Sequence, residues 1–171
     1  MAAAVAADYR YVLTREIPTL DARGTVVFVM LNPSTADQHT DDATTRRVTD
    51  FAARWGFSRL DIVNLYAFRS TDPSALFTAA RPIGDENDDR ISGAVEAASL
   101  VVLAWGATAH PGGTARVWRV LHLISATRNT PTCLGLTADG HPRHPLYVRK
   151  LALPQPFHPA TICHQEGRER Q

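Results

Sequence analysis

Residues able to donate, accept or transfer protons cluster in four short segments of the chain. These segments are 32–37 (Asn-Pro-Ser-Thr-Ala-Asp), 64–69 (Asn-Leu-Tyr-Ala-Phe-Arg), 105–106 (Trp-Gly) and 141–145 (His-Pro-Arg-His-Pro). A fixed amide can hydrogen-bond the edge of a ring, a carboxylate can orient water, and His or Arg can donate to a developing negative charge. The two prolines of the last segment stiffen its backbone, so its cationic groups suit an anion or a carbonyl oxygen.

Each segment also has a purely structural interpretation. Residues 32–34 form a common turn sequence, because Asn and Ser bond their own backbone and Pro fixes φ. Asn64 can end a strand by capping a turn, Trp105 can be a core aromatic, and Asp42 can cap a helix. The His-Pro-Arg-His-Pro segment is the hardest to explain as a mere connector.

The apolar pattern predicts strands that alternate with helices. Apolar runs typical of strands buried on both faces cover 25–31, 59–65, 100–105 and 132–136, with a short edge strand at 9–15. Helical spacing covers 43–55, 74–80, 85–98 and 114–127. This alternation predicts an α/β fold, a three-layer sandwich with a mostly parallel central sheet.

Composition and charge exclude several classes of protein. The 171 residues carry a net charge of +1, unlike a histone-type nucleic-acid binder, and no apolar run reaches the roughly 20 residues of a membrane-spanning helix. The two cysteines indicate neither a disulfide framework nor a zinc site, and the first residues lack the basic region of a signal peptide. We therefore expect a cytoplasmic protein with one domain at 9–153 and loosely ordered tails at 1–8 and 154–171.

The four polar segments each follow a predicted strand, and this locates the expected site. In a parallel α/β sheet, ligands bind outside the carboxyl ends of the strands. We therefore expect Asn32, Asn64, Trp105 and His141 to line one cleft.

Metal binding is the main chemical alternative for the two histidines of the last segment. His141 and His144 have an i, i+3 spacing seen in metal sites, but the prolines exclude a regular helix and no cysteine is near. A zinc or iron site would need Asp37, Asp42 or Asp139 as further ligands. We therefore expect no metal and no cofactor, and a metal-dependent hydrolase ranks third among the hypotheses.

The sequence resembles a bacterial and phage family catalogued as a domain of unknown function (number 1643). The segments that carry this resemblance are 30–37, 64–69, 104–106 and 134–147, and the likeness covers residues 9–150. The resemblance implies no established activity.

The order of the motifs is also similar to that of the uracil-DNA glycosylase superfamily. That superfamily has a polar residue before Pro after its first core strand, an Asn after the next, a strand ending in Trp-Gly, and a late His-Pro loop. The corresponding residues here are Asn32-Pro33, Asn64, Trp105-Gly106 and His141-Pro142. The resemblance implies a glycosylase-like fold with its site at the carboxyl ends of the strands.

The glycosylase resemblance also implies roles for individual residues. Asn32, with Asp37 nearby, would position a water, and His141 or His144 would stabilise negative charge on the leaving base. Asn64 would hydrogen-bond the edge of that base, and Leu146 would wedge into a base stack. The implied catalytic residues are Asn32, Asp37 and His141. The implied substrate-binding residues are Pro33, Ser34, Asn64, Arg69, Trp105, Gly106, Arg143 and His144.

The predicted function is recognition of a nucleobase coupled to hydrolysis of its N-glycosidic bond, in DNA or in a free nucleoside or nucleotide. The alternative from another class is a non-catalytic module that binds nucleotides or nucleic acid. The expected partner is a nucleobase-containing ligand, with DNA as one candidate, and no association with a membrane is expected. The oligomeric state stays open.

Overall fold

The structure, a computed structural model, describes residues 3–6, 8–20, 22–34, 36, 40–107 and 113–159. For 3–6 only the backbone is described. Of the predicted site residues, Asp37 lies outside the described residues.

One seven-stranded sheet forms the centre of the fold, in the order β1-β2-β4-β3-β5-β6-β7. The strands are β1 (Ala3–Ala6), β2 (Tyr9–Glu16), β3 (Thr25–Met30), β4 (Arg59–Asn64), β5 (Leu100–Leu103), β6 (Thr132–Cys133) and β7 (Gln155–Pro156). The four inner strands β4, β3, β5 and β6 pair in parallel, and β1, β2 and β7 pair antiparallel. The α/β class is therefore confirmed, but the sheet is mixed rather than mostly parallel.

The antiparallel strands account for the differences from the sequence analysis. Only two residues separate β1 from β2, so the chain can return only as a hairpin. Strand β1 therefore pairs with the side of the 9–15 strand that was expected to be an open edge of the sheet. The alanine-rich start has no alternating pattern that would reveal this strand. At the other end, β7 pairs with β6 and Phe157 is buried. Both strands lie in segments that the sequence analysis assigned to loosely ordered tails.

In the described part of the chain, three α-helices cover the sheet: α1 (Ala43–Arg54), α2 (Asn87–Ala97) and α3 (Gly113–Ser125). Two short 3₁₀ helices, Pro73–Phe77 and Pro145–Tyr147, lie in the connections. Helix α1 begins at Asp42, whose carboxylate accepts a hydrogen bond from the backbone N–H of Thr45 at 2.7 Å. No helix among the described residues is long and apolar enough to cross a bilayer.

The core lies on both faces of the sheet, because successive strand residues point in opposite directions. Along β3, Val27 and Val29 pack with residues of α2 and α3, whereas Val26 and Phe28 pack with residues of α1. The helices thus form one layer on each side of the sheet.

The strand register brings three chain segments to the same edge of the sheet. Met30 at the end of β3 is paired with Asn64 at the end of β4. The pairing continues beyond the strands, since the Tyr66 N–H donates to the Leu31 carbonyl and the Ala104 N–H to the Val29 carbonyl. The residues that follow β3, β4 and β5 therefore converge on one side of the molecule.

Candidate functional site

A cleft of about 190 Å³ lies at the carboxyl ends of β3, β4 and β5. Its polar lining includes the side chains of Arg10, Asn32, Asn64, Trp105 and His144. Its apolar lining comes from Met30, Leu31 and Ile62, and hydroxyl groups come from Ser34, Thr44, Thr45, Ser70 and Thr71. This composition, apolar with a few convergent polar groups, is typical of a small-molecule site.

Asn64 is the most unusual polar residue of the cleft. Its side chain is 1% exposed, and its amide nitrogen Nδ2 has no hydrogen-bond partner among the described residues. Buried donors in folded proteins are normally paired, because an unpaired one loses its bonds to water without replacement. The amide of Asn64 is therefore positioned to donate to an acceptor that none of the described residues supplies.

Two buried side chains, one from α2 and one from α3, hold the backbone at Asn64 and Leu65 in place. The Asn87 amide donates to the carbonyls of Asn64 and Leu65 at 3.0 and 3.1 Å. The Arg116 guanidinium donates to the Leu65 carbonyl at 2.6 Å and to Asp88 at 2.5 Å. Helices α2 and α3 thereby hold the end of β4 in place, so the unpaired amide of Asn64 is fixed to a rigid element.

Trp105 adds a second buried donor without a partner. The residue is 2% exposed, and its indole Nε1 has no hydrogen-bond partner among the described residues. The ring packs edge-on against Phe157, with ring centres 6.4 Å apart. Since Trp105 and Asn64 line the same cleft, a ligand rich in acceptor atoms would satisfy both.

Asn32 offers the cleft a hydrogen-bond acceptor, whereas Asn64 and Trp105 offer donors. Its Nδ2 donates to the carbonyls of Pro33 and Ser70 at 3.1 and 2.9 Å. Because both partners are acceptors, the amide can face them only with its nitrogen, and Oδ1 is the atom through which Asn32 accepts. A water or a ligand N–H is the group that this oxygen suits.

His144 reaches the cleft because Gly106 leaves room for it. Gly106 has φ of +76°, and a Cβ built there would lie 3.3 Å from the His144 Cβ. The Gly106 N–H also donates to the Pro142 carbonyl at 2.9 Å, which ties the late loop to the end of β5. A glycine is therefore required at 106 both by its backbone conformation and by the close approach of His144.

The surroundings of His144 define its tautomer. Its Nδ1 accepts from the Leu146 N–H at 3.3 Å, so the neutral ring carries its proton on Nε2. Burial lowers the pKa of His144 below its ordinary value of 6.5, and the Asp42 carboxylate partly opposes that shift. At neutral pH, His144 is therefore an uncharged donor through Nε2.

The sequence analysis expected His141 in this position, and the structure places His144 there instead. Three of the four residues expected together, Asn32, Asn64 and Trp105, line the cleft. His141 is not in the cleft lining; the residue next to it, Pro142, forms an isolated antiparallel bridge with Leu136, which follows β6. The Nδ1 of His141 is nonetheless buried without a partner among the described residues, and burial lowers its pKa below 6.5.

Of the remaining predicted site residues, Ser34 lines the cleft, whereas Pro33, Arg69, Gly106 and Arg143 do not. Pro33 is buried, and its carbonyl accepts from the Ser70 N–H at 2.9 Å. The Arg69 N–H donates to the Asp8 carbonyl at 3.0 Å. Arg143 is exposed and donates to the Leu136 carbonyl at 2.8 Å.

Arg10 is the charged residue of the described cleft lining that the sequence analysis did not consider; the hydroxyl residues Thr44, Thr45, Ser70 and Thr71 were not predicted either. It is 3% exposed, and its guanidinium donates to the Ala36 carbonyl. The segment around it was expected to be an edge strand, where an arginine would point to solvent. The sequence did contain a signal for a buried arginine, because Arg10 lies between two tyrosines of the predicted strand. This signal was missed because β1 was not predicted, so the strand was taken for an edge strand.

Comparison with known proteins identifies one family. The family model described as "Protein of unknown function (DUF1643)" matches residues 10–146. The chain belongs to the DUF1643 family. Neither the curated proteins nor the solved structures contain a match. The matched range includes every cleft residue discussed above, so the cleft lies within the family domain.

The DUF1643 cleft differs from a metal centre in its side chains. Among the residues that the structure describes, no group of three or more His, Cys, Asp or Glu side chains could hold a metal ion. The cleft carboxylate, Asp42, caps α1, and the Nδ1 of His144 is engaged by the Leu146 N–H.

Proposed function

We propose that this cleft binds a nucleobase and that the protein hydrolyses the N-glycosidic bond that joins the base to its sugar. The observation that carries the proposal is the buried, unpaired amide of Asn64 at the end of β4. A carbonyl oxygen or ring nitrogen of a base is an acceptor that this amide can bind. The indole N–H of Trp105 offers a second donor in the same cleft.

The size of the cleft supports a ligand group as small as a single base. Its 190 Å³ is below the about 300–1,000 Å³ of pockets that enclose drug-sized molecules. The apolar side chains of Met30, Leu31 and Ile62 offer contacts to the face of a planar ring. The sugar and any phosphate would therefore remain at the mouth of the cleft.

The proposed reaction forms one bond and breaks another at the anomeric carbon. A water oxygen bonds to C1′, the C1′–N bond breaks, and its electron pair leaves with the base. One proton of the water passes to solvent or to the base. The Oδ1 of Asn32 would accept a hydrogen bond from the water, and the Asp42 carboxylate would favour the cationic sugar. The Nε2–H of His144 would donate to the anionic base.

Similarity to the uracil-DNA glycosylase superfamily remains part of the proposal. It is supported by the order of the motifs together with the position of Asn32, Asn64 and Trp105 in one cleft. Asp37, which that resemblance pairs with Asn32, keeps its proposed role in positioning water.

The experiment is release of free base from uracil-, hypoxanthine- and mismatch-containing DNA, and from nucleosides and nucleotides. We expect wild-type protein to release base from at least one of these substrates. Asn32→Ala and Asp37→Ala should lower turnover with little change in affinity, because they act in the transition state. Asn64→Ala, which removes the donor that reads the base, should lower affinity and base selectivity together, by about 1–3 kcal/mol. The absence of base release from every substrate would contradict the enzymatic part.

A non-catalytic module that binds nucleobases is the second candidate. The observation that favours it is the use of the Asp42 carboxylate as the cap of α1, which gives this acid a structural task. Base binding that depends on Asn64, without release of base from any substrate, would select this candidate.

A further inference from the structure

A second, larger concavity is lined in part by residues that flank His144 in the chain. It has a volume of about 800 Å³ and is bounded by 134–136 and by Arg143 together with 147–152. We call it the basic groove, because its lining includes Arg143, Arg149 and Lys150 and no carboxylate among the described residues. A groove of this kind attracts a negatively charged partner.

The basic groove also concentrates exposed apolar surface. Tyr147 and Leu151 are each 78% exposed, and both line the groove. Of the seven large hydrophobic side chains exposed among the described residues, four lie within 146–153. Exposed apolar groups interleaved with cations indicate a partner that is both anionic and rich in flat apolar faces.

The groove and the cleft share one rigid element. The 3₁₀ helix Pro145–Tyr147 begins directly after His144, and the rings of His144 and Tyr147 lie 5.7 Å apart. Arg47 of α1 donates to the carbonyls of Pro145 and Val148 at 3.3 and 2.8 Å. A ligand in the groove would therefore lie at a fixed position next to the cleft.

We propose that the basic groove binds a single-stranded polynucleotide, so that the base entering the cleft belongs to a polymer rather than to a free nucleoside. The inference rests on the proposed function for the choice of ligand in the cleft. Arg149 and Lys150 would contact phosphates, and the face of Tyr147 would stack on a base next to the one in the cleft. An exposed ring can meet a base face only where that base is unpaired, which favours a single strand over a duplex.

The test is fluorescence anisotropy of the full chain with labelled 12-nucleotide oligothymidine and oligouridine, which separate DNA from RNA. We expect binding to at least one of them. Arg149→Ala/Lys150→Ala should flatten the slope of log affinity against log salt by about 1.4, since each phosphate contact to a single strand contributes about 0.7. Tyr147→Ala should weaken binding by about 5- to 150-fold through loss of the stack.

The matched control is Arg81→Ala/Arg90→Ala, which removes the same charge from exposed side chains beside and on α2. Helix α2 packs on the face of the sheet opposite to Val148 and Ala152 of the groove. This control should leave affinity and slope unchanged. An equal loss in the control would overturn the proposal, as would absence of binding to both strands.

Two further measurements distinguish a failure of this proposal from a failure of the proposed function. Asn64→Ala should lower base release and weaken base binding, but the slope of log oligonucleotide affinity against log salt should stay that of wild type, because the phosphate contacts of the groove remain. If wild-type protein binds strands through the groove and releases no base, the enzyme proposal fails and the groove proposal stands. Equal release from nucleosides and strands, or equally tight binding of polyglutamate, would overturn the groove proposal.

Discussion

Two buried polar side chains on β4, Asp61 and Asn64, lie three residues apart and have opposite surroundings. Asp61 is paired across the sheet with Thr14, whose hydroxyl donates to it at 2.6 Å, and it also accepts from Arg59 at 3.1 Å. Asn64, at the carboxyl end of the same strand, has an amide nitrogen without a partner among the described residues. One strand thus contains a satisfied polar group at its centre and an unsatisfied one at its end.

The difference separates the part of the sheet that supplies stability from the part that is available for binding. A cross-strand pair between Thr14 and Asp61 adds to the strength of the β2–β4 ladder. The unpaired amide of Asn64 lowers the stability of the fold. Proteins retain such unpaired groups at functional sites, where the group is used for binding or catalysis.

The largest expected effect on stability concerns Asp61. Asp61→Ala leaves the buried Thr14 hydroxyl without its acceptor and should lower the free energy of unfolding by about 1–3 kcal/mol. Asn64→Ala breaks no hydrogen bond of Nδ2 and should change it by less than about 1 kcal/mol. Urea unfolding of both variants measures the contrast. An equal loss at Asn64 would show that its amide is already satisfied in the free protein.

The next effect extends the comparison to Gly106, which lies against the cleft residue His144. Gly106→Ala places a side chain at φ of +76° and 3.3 Å from the His144 Cβ, so it should cost about 1–2 kcal/mol and weaken base binding. The control is Gly93→Ala in α2, where a Cβ would meet nothing within 4 Å. That control should stabilise the protein by about 0.5–1 kcal/mol. A Gly106 variant as stable as wild type would contradict the close approach described for His144.

The smallest effect is on the pH dependence of stability. Burial lowers the pKa of His144 and of His141 below 6.5, so the unfolded chain binds more protons than the folded chain just below that pH. The stability present above pH 6.5 should therefore fall as the pH drops through the lowered pKa values. Thermal melting from pH 7.5 to 5 should show a smaller fall for His144→Gln than for wild type. Wild-type protein melted in parallel is the reference, and an unchanged slope in His144→Gln would contradict the assignment.

The inner part of the fold was predictable because its signals are local. Continuous apolar runs located β3 and β4, and helical spacing that stops at Gly56 located α1 to within a residue or two. Strand β1 was not predictable, since its alanines carry no periodicity and its pairing depends on the hairpin with β2.

The candidate site was predictable in its location but not in all of its members. Asn32, Asn64 and Trp105 follow strands, so the rule for ligand binding in α/β sheets was sufficient to bring them together. The choice between His141 and His144 depends on the bridge at Pro142 and on the space above Gly106, which are tertiary features. Arg10 enters the cleft because of the position of β2 within the sheet, which the local sequence does not encode.

The most direct test of the cleft as a nucleobase site is the side-chain amide signal of Asn64 in ¹H–¹⁵N spectra recorded during titration with uracil and with hypoxanthine. The signal is assigned by its disappearance in Asn64→Asp. Asn129, whose Nδ2 already donates to the Val95 and Ala98 carbonyls at 2.7 and 3.3 Å, is the internal control. The account predicts that at least one base shifts the Asn64 amide protons downfield in a saturable way and leaves those of Asn129 in place. An Asn64 signal that stays unmoved with both bases would contradict it.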